Sequence, residues 1–235
     1  SAMRTVVITG TSSGIGRKLA LHLLSEKWQV IGCSRRAAKV DHPNYTHSSV
    51  DLTDEAAVGD MFRDIVAYET DRIALINNAG MANMNHFLLS PRKTGEKMMC
   101  LNSLAAIDCM RHYAKLLLKK GISGGRIVNF SSVATLRAIE GQLWYAASKS
   151  ALESATQVAS KELSSINVTV NCIQIPYFRS PMSGSIGKDR VEKMLENQVI
   201  KRPCTFEDIA NAVEFFLSAR SDFVTGELLC LGGKG

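Results

Sequence analysis

Aromatic residues make up only 6% of the chain, and no nucleic-acid-binding module accompanies them, so we expect no DNA or RNA partner. Long apolar runs are also missing. Nothing reaches the roughly 20 residues that cross a bilayer, and no basic-then-apolar leader opens the sequence. A cytoplasmic protein without membrane contact is the expectation. Cysteine is present but unorganised: Cys33, Cys100, Cys109, Cys172, Cys204 and Cys230 form no C-x-x-C and no metal spacing. A disulfide framework or a bound metal is therefore not expected. Repeats, low-complexity tracts and linkers are lacking too.

The charge balance is mild, at +6. One basic group, Arg111, Lys115, Lys119 and Lys120, recurs at helical spacing beside Leu116, Leu117 and Leu118, as a solvated helix face does. The other, Arg35, Arg36 and Lys39, follows an apolar run. Its position matters below.

What the chain has is apolar content, 46% over 235 residues, enough for a sizeable core. Ser1 and Ala2 read as a cloning remnant, leaving 3–235 as one domain. Short β-branched runs at 5–9, 29–34, 73–77, 126–131, 168–175 and 227–231 read as buried strands, with a weaker one at 45–50. Helical patterns lie between them, at about 15–27, 54–68, 95–119, 145–164 and 206–218. Such alternation predicts an α/β fold: a single doubly wound, Rossmann-type domain, its parallel sheet of about seven strands covered by helices on both faces.

In that architecture ligands sit outside the carboxyl ends of the strands. After the first strand comes TGTSSGIG, residues 9–16. Gly10, Gly14 and Gly16 permit positive φ and let a phosphate approach backbone N–H groups at a helix start. A plain tight turn capped by Ser12 or Ser13 is the alternative. The second strand ends on Ser34, Arg35 and Arg36, where NAD-preferring folds place a carboxylate for the ribose 2′-hydroxyl. Two guanidiniums, with a hydroxyl from Ser34 or Ser13, suit a 2′-phosphate and point to NADP(H). Further on, WYAASKSALE (144–153) puts Tyr145 and Lys149 four apart on one helical face.

TGxxxGxG as TGTSSGIG, NNAG at 77–80 and YxxxK at 145–149, in that order, resemble the short-chain dehydrogenase/reductase family from Met3 to about Gly233. The resemblance implies that Ser12, Ser13 and Ile15 join the glycines around the dinucleotide. It puts Asp51 near the adenine amino group with the Leu52 backbone beside it. Asn78, Ala79 and Gly80 line the adenine–ribose pocket, Asn77 is structural, and Phe178 and Ser180 lie by the nicotinamide. The family's catalytic serine precedes the tyrosine by thirteen residues, which selects Ser132 over Ser131. Asn102, twenty-five beyond Asn77, matches the helix asparagine that holds a relay water.

The implied chemistry is carbonyl–alcohol interconversion. Tyr145 exchanges the proton, Ser132 holds the substrate oxygen, and Lys149 holds the nicotinamide ribose. The Lys149 ammonium is expected to lower the phenol from its free value of about 10. An NADPH-dependent ketone or aldehyde reductase is the leading reading, a 3-oxoacyl thioester being one substrate. An NADP-dependent alcohol dehydrogenase of a sugar, steroid or polyol is the second. A non-enzymatic dinucleotide sensor or scaffold is the third, although a pure binder has no need of Tyr145.

Two features depart from the family. Pro-Gly after the sixth strand becomes Ile175-Pro176, which fixes φ and removes an N–H, and the following threonine becomes Ser180. Residues 183–200, with Met194 and Leu195 on a short helix, are expected to form a substrate lid. Leu143, Tyr177 and Met182 are expected to wall the pocket. Arg137 and Arg179 either meet an acidic substrate or stand unassigned. By analogy the C-terminal run FVTGELLCLGG implies a homodimer or homotetramer.

Overall fold

The computed structural model describes residues 4–66, 70, 72–179 and 187–234. The apolar runs form β1 (Arg4–Thr9), β2 (Gln29–Ser34), β3 (Tyr45–Ser49), β4 (Arg72–Asn77), β5 (Gly125–Ser132), β6 (Val168–Ile175) and β7 (Leu228–Cys230). They pair in one parallel sheet in the order β3-β2-β1-β4-β5-β6-β7. From β1 the chain steps outward to β2 and β3, then returns to β4 on the other side of β1. The direction of winding therefore reverses between β1 and β4, and a crevice opens at their carboxyl ends.

Helices cover both faces, which is why the central strands are continuous apolar runs rather than alternating ones. On one face α2 (Glu55–Ile65), α4 (Ala105–Lys120) and α6 (Leu143–Glu162) pack over Val7, Ile31, Leu75, Ile127 and Val170. On the other, α1 (Gly14–Ser25) and α8 (Phe206–Leu217) pack over Val6, Ile8, Ile76, Val128 and Ile173. Buried polar groups tie these layers together. The Asn77 amide donates to Asn129 Oδ1 at 2.8 Å, and the Asn129 amide donates to Thr156 Oγ1 at 2.9 Å, joining β4, β5 and α6. Asn77 is structural, as expected.

The helix expected over 95–119 is built differently. It is α3 (Arg92–Met99), a π-helical turn at Cys100–Leu104, then α4. Wide turns of this kind recur at functional sites, and this one carries Asn102. α3 also comes very close to α6: a Cβ placed on Gly95 would overlap the Trp144 indole. The last strand is shorter than expected because the Glu227 N–H is taken by Asn171 Oδ1 at 3.1 Å. Within the expected lid, α5 having already formed at Ala134–Arg137, the next helix is α7 (Lys188–Glu196); 183–186 lie outside the described residues.

Candidate active site

A cleft of about 790 Å³ runs across the carboxyl ends of the strands. Its first wall is the glycine turn. Gly10 and Gly14 have φ of +78° and +59°, the left-handed region that disfavours side chains. A Cβ on Gly10 would also come within 2.9 Å of the Ala79 backbone. Ser13 occupies the N-cap of α1 without making a side-chain cap bond, so its hydroxyl faces the cleft uncommitted to the helix. Ser12, Gly14 and Ile15 line the same wall. Gly16 corrects the expectation. It is buried and off the wall, and a side chain there would strike the Gly10 carbonyl and the Asn78 amide. Its smallness serves helix packing against the turn.

Asn78 braces this turn by donating to the Thr9 carbonyl at 2.9 Å, while the Thr9 hydroxyl accepts the N–H groups of Asn78 and Ala79 at 3.0 and 2.9 Å. Ala79 and Gly80 continue the wall, as do Val50, Asp51 and Leu52. Asp51 Oδ1 accepts the Thr53 hydroxyl at 2.7 Å and the Thr53 N–H at 3.0 Å, which holds its carboxyl below the usual range. Asp54 caps α2.

Ser34, Arg35 and Arg36 line the far end. The Ser34 hydroxyl donates to the Arg36 carbonyl at 2.7 Å, fixing the turn that presents both arginines. Behind it runs a polar chain that the sequence reading missed. Thr11 Oγ1 lies 3.1 Å from the Tyr45 hydroxyl, which lies 2.9 Å from His47 Nδ1, and His47 Nε2 is 3.3 Å from the Ser34 carbonyl. Gly32 leaves the space for it, since a Cβ there would overlap Tyr45 and Thr11.

The reactive end gathers Ser132 from the close of β5 with Tyr145 and Lys149 from α6, all on the cleft wall. Burial raises the Tyr145 phenol, and the neighbouring Ser132 hydroxyl pulls the other way. Lys149 is not among the causes, contrary to the sequence expectation. Its ammonium donates to the Phe130 carbonyl at 2.7 Å, and burial pushes it down to about 8. Asn102 is fully buried behind Gly80. It exchanges two bonds with the Met81 backbone and donates to Ser148 Oγ at 3.0 Å. A Cβ on Gly80 would sit 3.1 Å from Asn102 Oδ1 and 3.4 Å from Lys149 Nζ.

Glu153 was also missed, although Tyr145, Lys149 and Glu153 stand at i, i+4 and i+8 on one stripe of α6. Its Oε1 accepts from Ser131 Oγ at 2.6 Å, Thr135 Oγ1 at 2.9 Å and Gln174 Nε2 at 2.9 Å. The cluster therefore grips both sides of Ser132.

Val133, Arg137, Ile139, Gln142, Ile175, Pro176, Tyr177, Phe178 and Met194 complete the cleft. Pro176 lies just past the end of β6, so its missing N–H falls outside the strand, and the Ile175 carbonyl before it accepts the Val133 N–H at 3.2 Å. Leu143 and Arg179 are not on the wall; Gln142, one residue before Leu143, points in instead. Ser180 and Met182 lie outside the described residues. A dinucleotide fits this lining: glycines where a Cβ would obstruct, a helix start, a hydroxyl and two guanidiniums at one end.

A doubly wound parallel sheet with serine, tyrosine and lysine converging on its crevice defines a nucleotide-binding oxidoreductase. The family model described as Enoyl-(Acyl carrier protein) reductase matches residues 10–233. The 3-oxoacyl-[acyl-carrier-protein] reductase FabG of Staphylococcus epidermidis is 27% identical, over 98% of each chain. The protein of that name from Buchnera aphidicola is 28% identical, over 98% of this chain and 96% of its own. Among solved structures, 4-hydroxyisoleucine dehydrogenase complexed with NADH has a TM-score of 0.88 at 27% identity, over 98% of both chains. ElxO with NADP bound, at 23% identity over 98% of this chain and 97% of its own, has a TM-score of 0.87 and bears on the fold alone. The chain belongs to the short-chain dehydrogenase/reductase family. It is an enzyme, an oxidoreductase of carbonyl or alcohol substrates, and these findings support a nicotinamide dinucleotide as its cofactor.

Proposed function

We propose that the protein is an NADP(H)-dependent reductase of a ketone or aldehyde, with 3-oxoacyl thioesters among the candidate substrates. The observation that carries this reading is the half-buried Tyr145 phenol beside the Ser132 hydroxyl on a cleft whose opposite end presents Arg35 and Arg36. The bound dinucleotide supplies the hydride. Ser132 hydrogen-bonds the substrate oxygen as negative charge grows on it. Tyr145 gives that oxygen its proton, and a phenol raised by burial is fully protonated at neutral pH, as a donor must be. Lys149, anchored on the Phe130 carbonyl, holds the nicotinamide ribose, and Asn102 and Met81 shape the wall behind it. Ser13, Ser34, Arg35 and Arg36 receive the 2′-phosphate, which favours NADP(H) over NAD(H).

The relatives named as 3-oxoacyl-[acyl-carrier-protein] reductases support the reductive direction and the thioester class. We read residues 183–200 as a substrate lid, since Met194 of α7 reaches the cleft wall. Apolar exposure along the β7 edge, at Phe215, Phe223 and Leu229, supports assembly into a homodimer or homotetramer through that side. No described helix is long and apolar enough to cross a membrane, which agrees with a cytoplasmic enzyme. The test is oxidation of NADPH against NADH with a panel of ketones, aldehydes and acyl thioesters. Absence of turnover with every member of the panel sinks the reading.

A further inference from the structure

We propose that the substrate carries a carboxylate in addition to its reacting carbonyl or hydroxyl group, and that Arg137 receives it. This rests on the reductase reading above and names the substrate class of the same cleft.

Arg137 closes the short helix that follows Ser132, and its own N–H is fixed to the Val133 carbonyl at 3.1 Å. The guanidinium is thus tied by backbone to the wall that holds the reactive hydroxyl. It lines the cleft and is half-buried. Its Nε is buried with no hydrogen-bond partner among the described residues, and Nη2 makes one long bond, 3.3 Å, to the Gly233 carbonyl. Among the described residues no carboxylate lies within ion-pair distance of it. Glu140, three residues along the chain, makes no ion pair with it, and Glu153 has Oε1 filled by Ser131, Thr135 and Gln174. The segment 180–186, SPMSGSI, contains no Asp or Glu.

A guanidinium withdrawn from water without an anion is unfavourable, and its planar fork matches a carboxylate with two parallel bonds. A second polar group is left unsatisfied on the same wall. Gln142 is only 8% exposed, and its Oε1 is buried without a partner among the described residues. It stands three residues before Tyr145 and Arg137 five after Ser132, so both lie on the stretch of chain that joins the Ser132–Tyr145 pair, and all four line the cleft. Their surroundings, Val133, Ile139, Tyr177 and Met194, offer little else that is charged. Each buried unpaired polar group calls for a partner, and on a cleft wall a ligand can be that partner. An oxo acid, or the corresponding hydroxy acid, supplies both missing partners: a carboxylate for Arg137 and polar atoms for Gln142.

The experiment uses the full chain with NADPH and matched pairs of 2-, 3- and 4-oxo acids and their methyl esters. The wild-type protein is expected to favour one acid over its ester by about 10- to 100-fold in kcat/KM, the scale of a hydrogen-bonded charge. In Arg137→Met that acid-to-ester ratio falls to near one, mainly through the KM of the acid, and Arg137→Lys keeps part of it. Because the ratio is internal to each variant, partial loss of folded protein does not imitate the effect. Calorimetry of butyrate binding in the presence of NADP⁺ gives a readout without turnover, and its heat should vanish in Arg137→Met. The inference is overturned if wild type prefers esters or shows no preference, or if the preference survives in Arg137→Met. It is also overturned if butyrate binds both proteins alike or neither, as it would if the chain's own C-terminal carboxylate occupied Arg137. If neither acids nor esters are reduced, the oxo-acid substrate class fails while the reductase reading is still judged on its own panel of ketones, aldehydes and acyl thioesters, and the butyrate titration then decides the anion site independently.

Discussion

Asn102 clasps Met81 by both of its backbone polar groups: Oδ1 accepts the N–H at 2.8 Å while Nδ2 donates to the carbonyl at 2.9 Å. A side chain thereby imitates one rung of a sheet ladder and fixes the loop after Gly80. With the buried bond to Ser148, three hydrogen bonds depend on one amide. At about 1 kcal/mol each, Asn102→Ala should lose roughly 3 kcal/mol, read by urea unfolding, and should lower kcat as Gly80 and Lys149 shift. A variant of wild-type stability would show that the clasp is idle.

Removal of the phenol hydroxyl tests the proton donor directly. Tyr145→Phe should lose about 10²- to 10⁴-fold in kcat, the usual range for a general acid. Dinucleotide affinity, followed by fluorescence titration, should change by no more than about threefold. Appreciable turnover in the variant removes Tyr145 from the reaction.

Lys149 gives a pH signature. Burial pushes its ammonium from 10.5 down to about 8, so between those values the unfolded chain holds the proton and the folded chain does not. Unfolding free energy therefore rises with pH across that window, while below about pH 8 the cost of burying the charge is fully present. The rise attributable to Lys149 is roughly 3 kcal/mol from the size of the shift. It is measured as the difference between wild type and Lys149→Met in urea melts of the cofactor-free protein at pH 7.5 and 10.

Cofactor choice depends on the second strand end. Replacing Arg35 or Arg36 with Ala should reduce the NADPH-to-NADH ratio of kcat/KM by about tenfold each, and Ser34→Asp should reduce it further by repelling the phosphate. Unchanged ratios in all three would place the 2′-phosphate elsewhere.

Glu153 predicts a stability effect with a catalytic shadow. In Glu153→Ala three donors around Ser132 lose their shared acceptor, at a cost of roughly 3 kcal/mol by thermal or urea melts. The misplaced Ser132 should lower kcat more than it raises KM. Glu153→Gln, which keeps one acceptor oxygen, should recover part of both.

Most of the frame was legible because buried parallel strands are written as contiguous β-branched runs, and VTVNCIQI became β6 with the same limits. Spacing was equally informative along α6, where one helical face carries Tyr145 and Lys149. What escaped the sequence were pairings between distant segments. No local pattern announces that Tyr45 will reach Thr11 and His47 behind Ser34, or that Gln174 and Ser131 will share Glu153. The π-turn at Asn102 was hidden because its composition is that of an ordinary helix. Gly16 was misread for a similar reason: positive φ and close packing both select glycine, and only coordinates separate them. The Phe130 carbonyl as a partner of Lys149 escaped too, since helical spacing gives proximity to Tyr145 but not the direction of Nζ.

The Gly95–Trp144 contact reaches further than helix packing. Because the indole precedes Tyr145 in the chain and fills the place of a missing side chain on α3, any bulk added at 95 pushes on Tyr145, the proposed proton donor. In a saturation library that position should tolerate nothing larger than hydrogen unless Trp144 shrinks in the same clone. The two sites would then be inherited as one unit, and a recombination breakpoint between them would succeed only when it preserves the match.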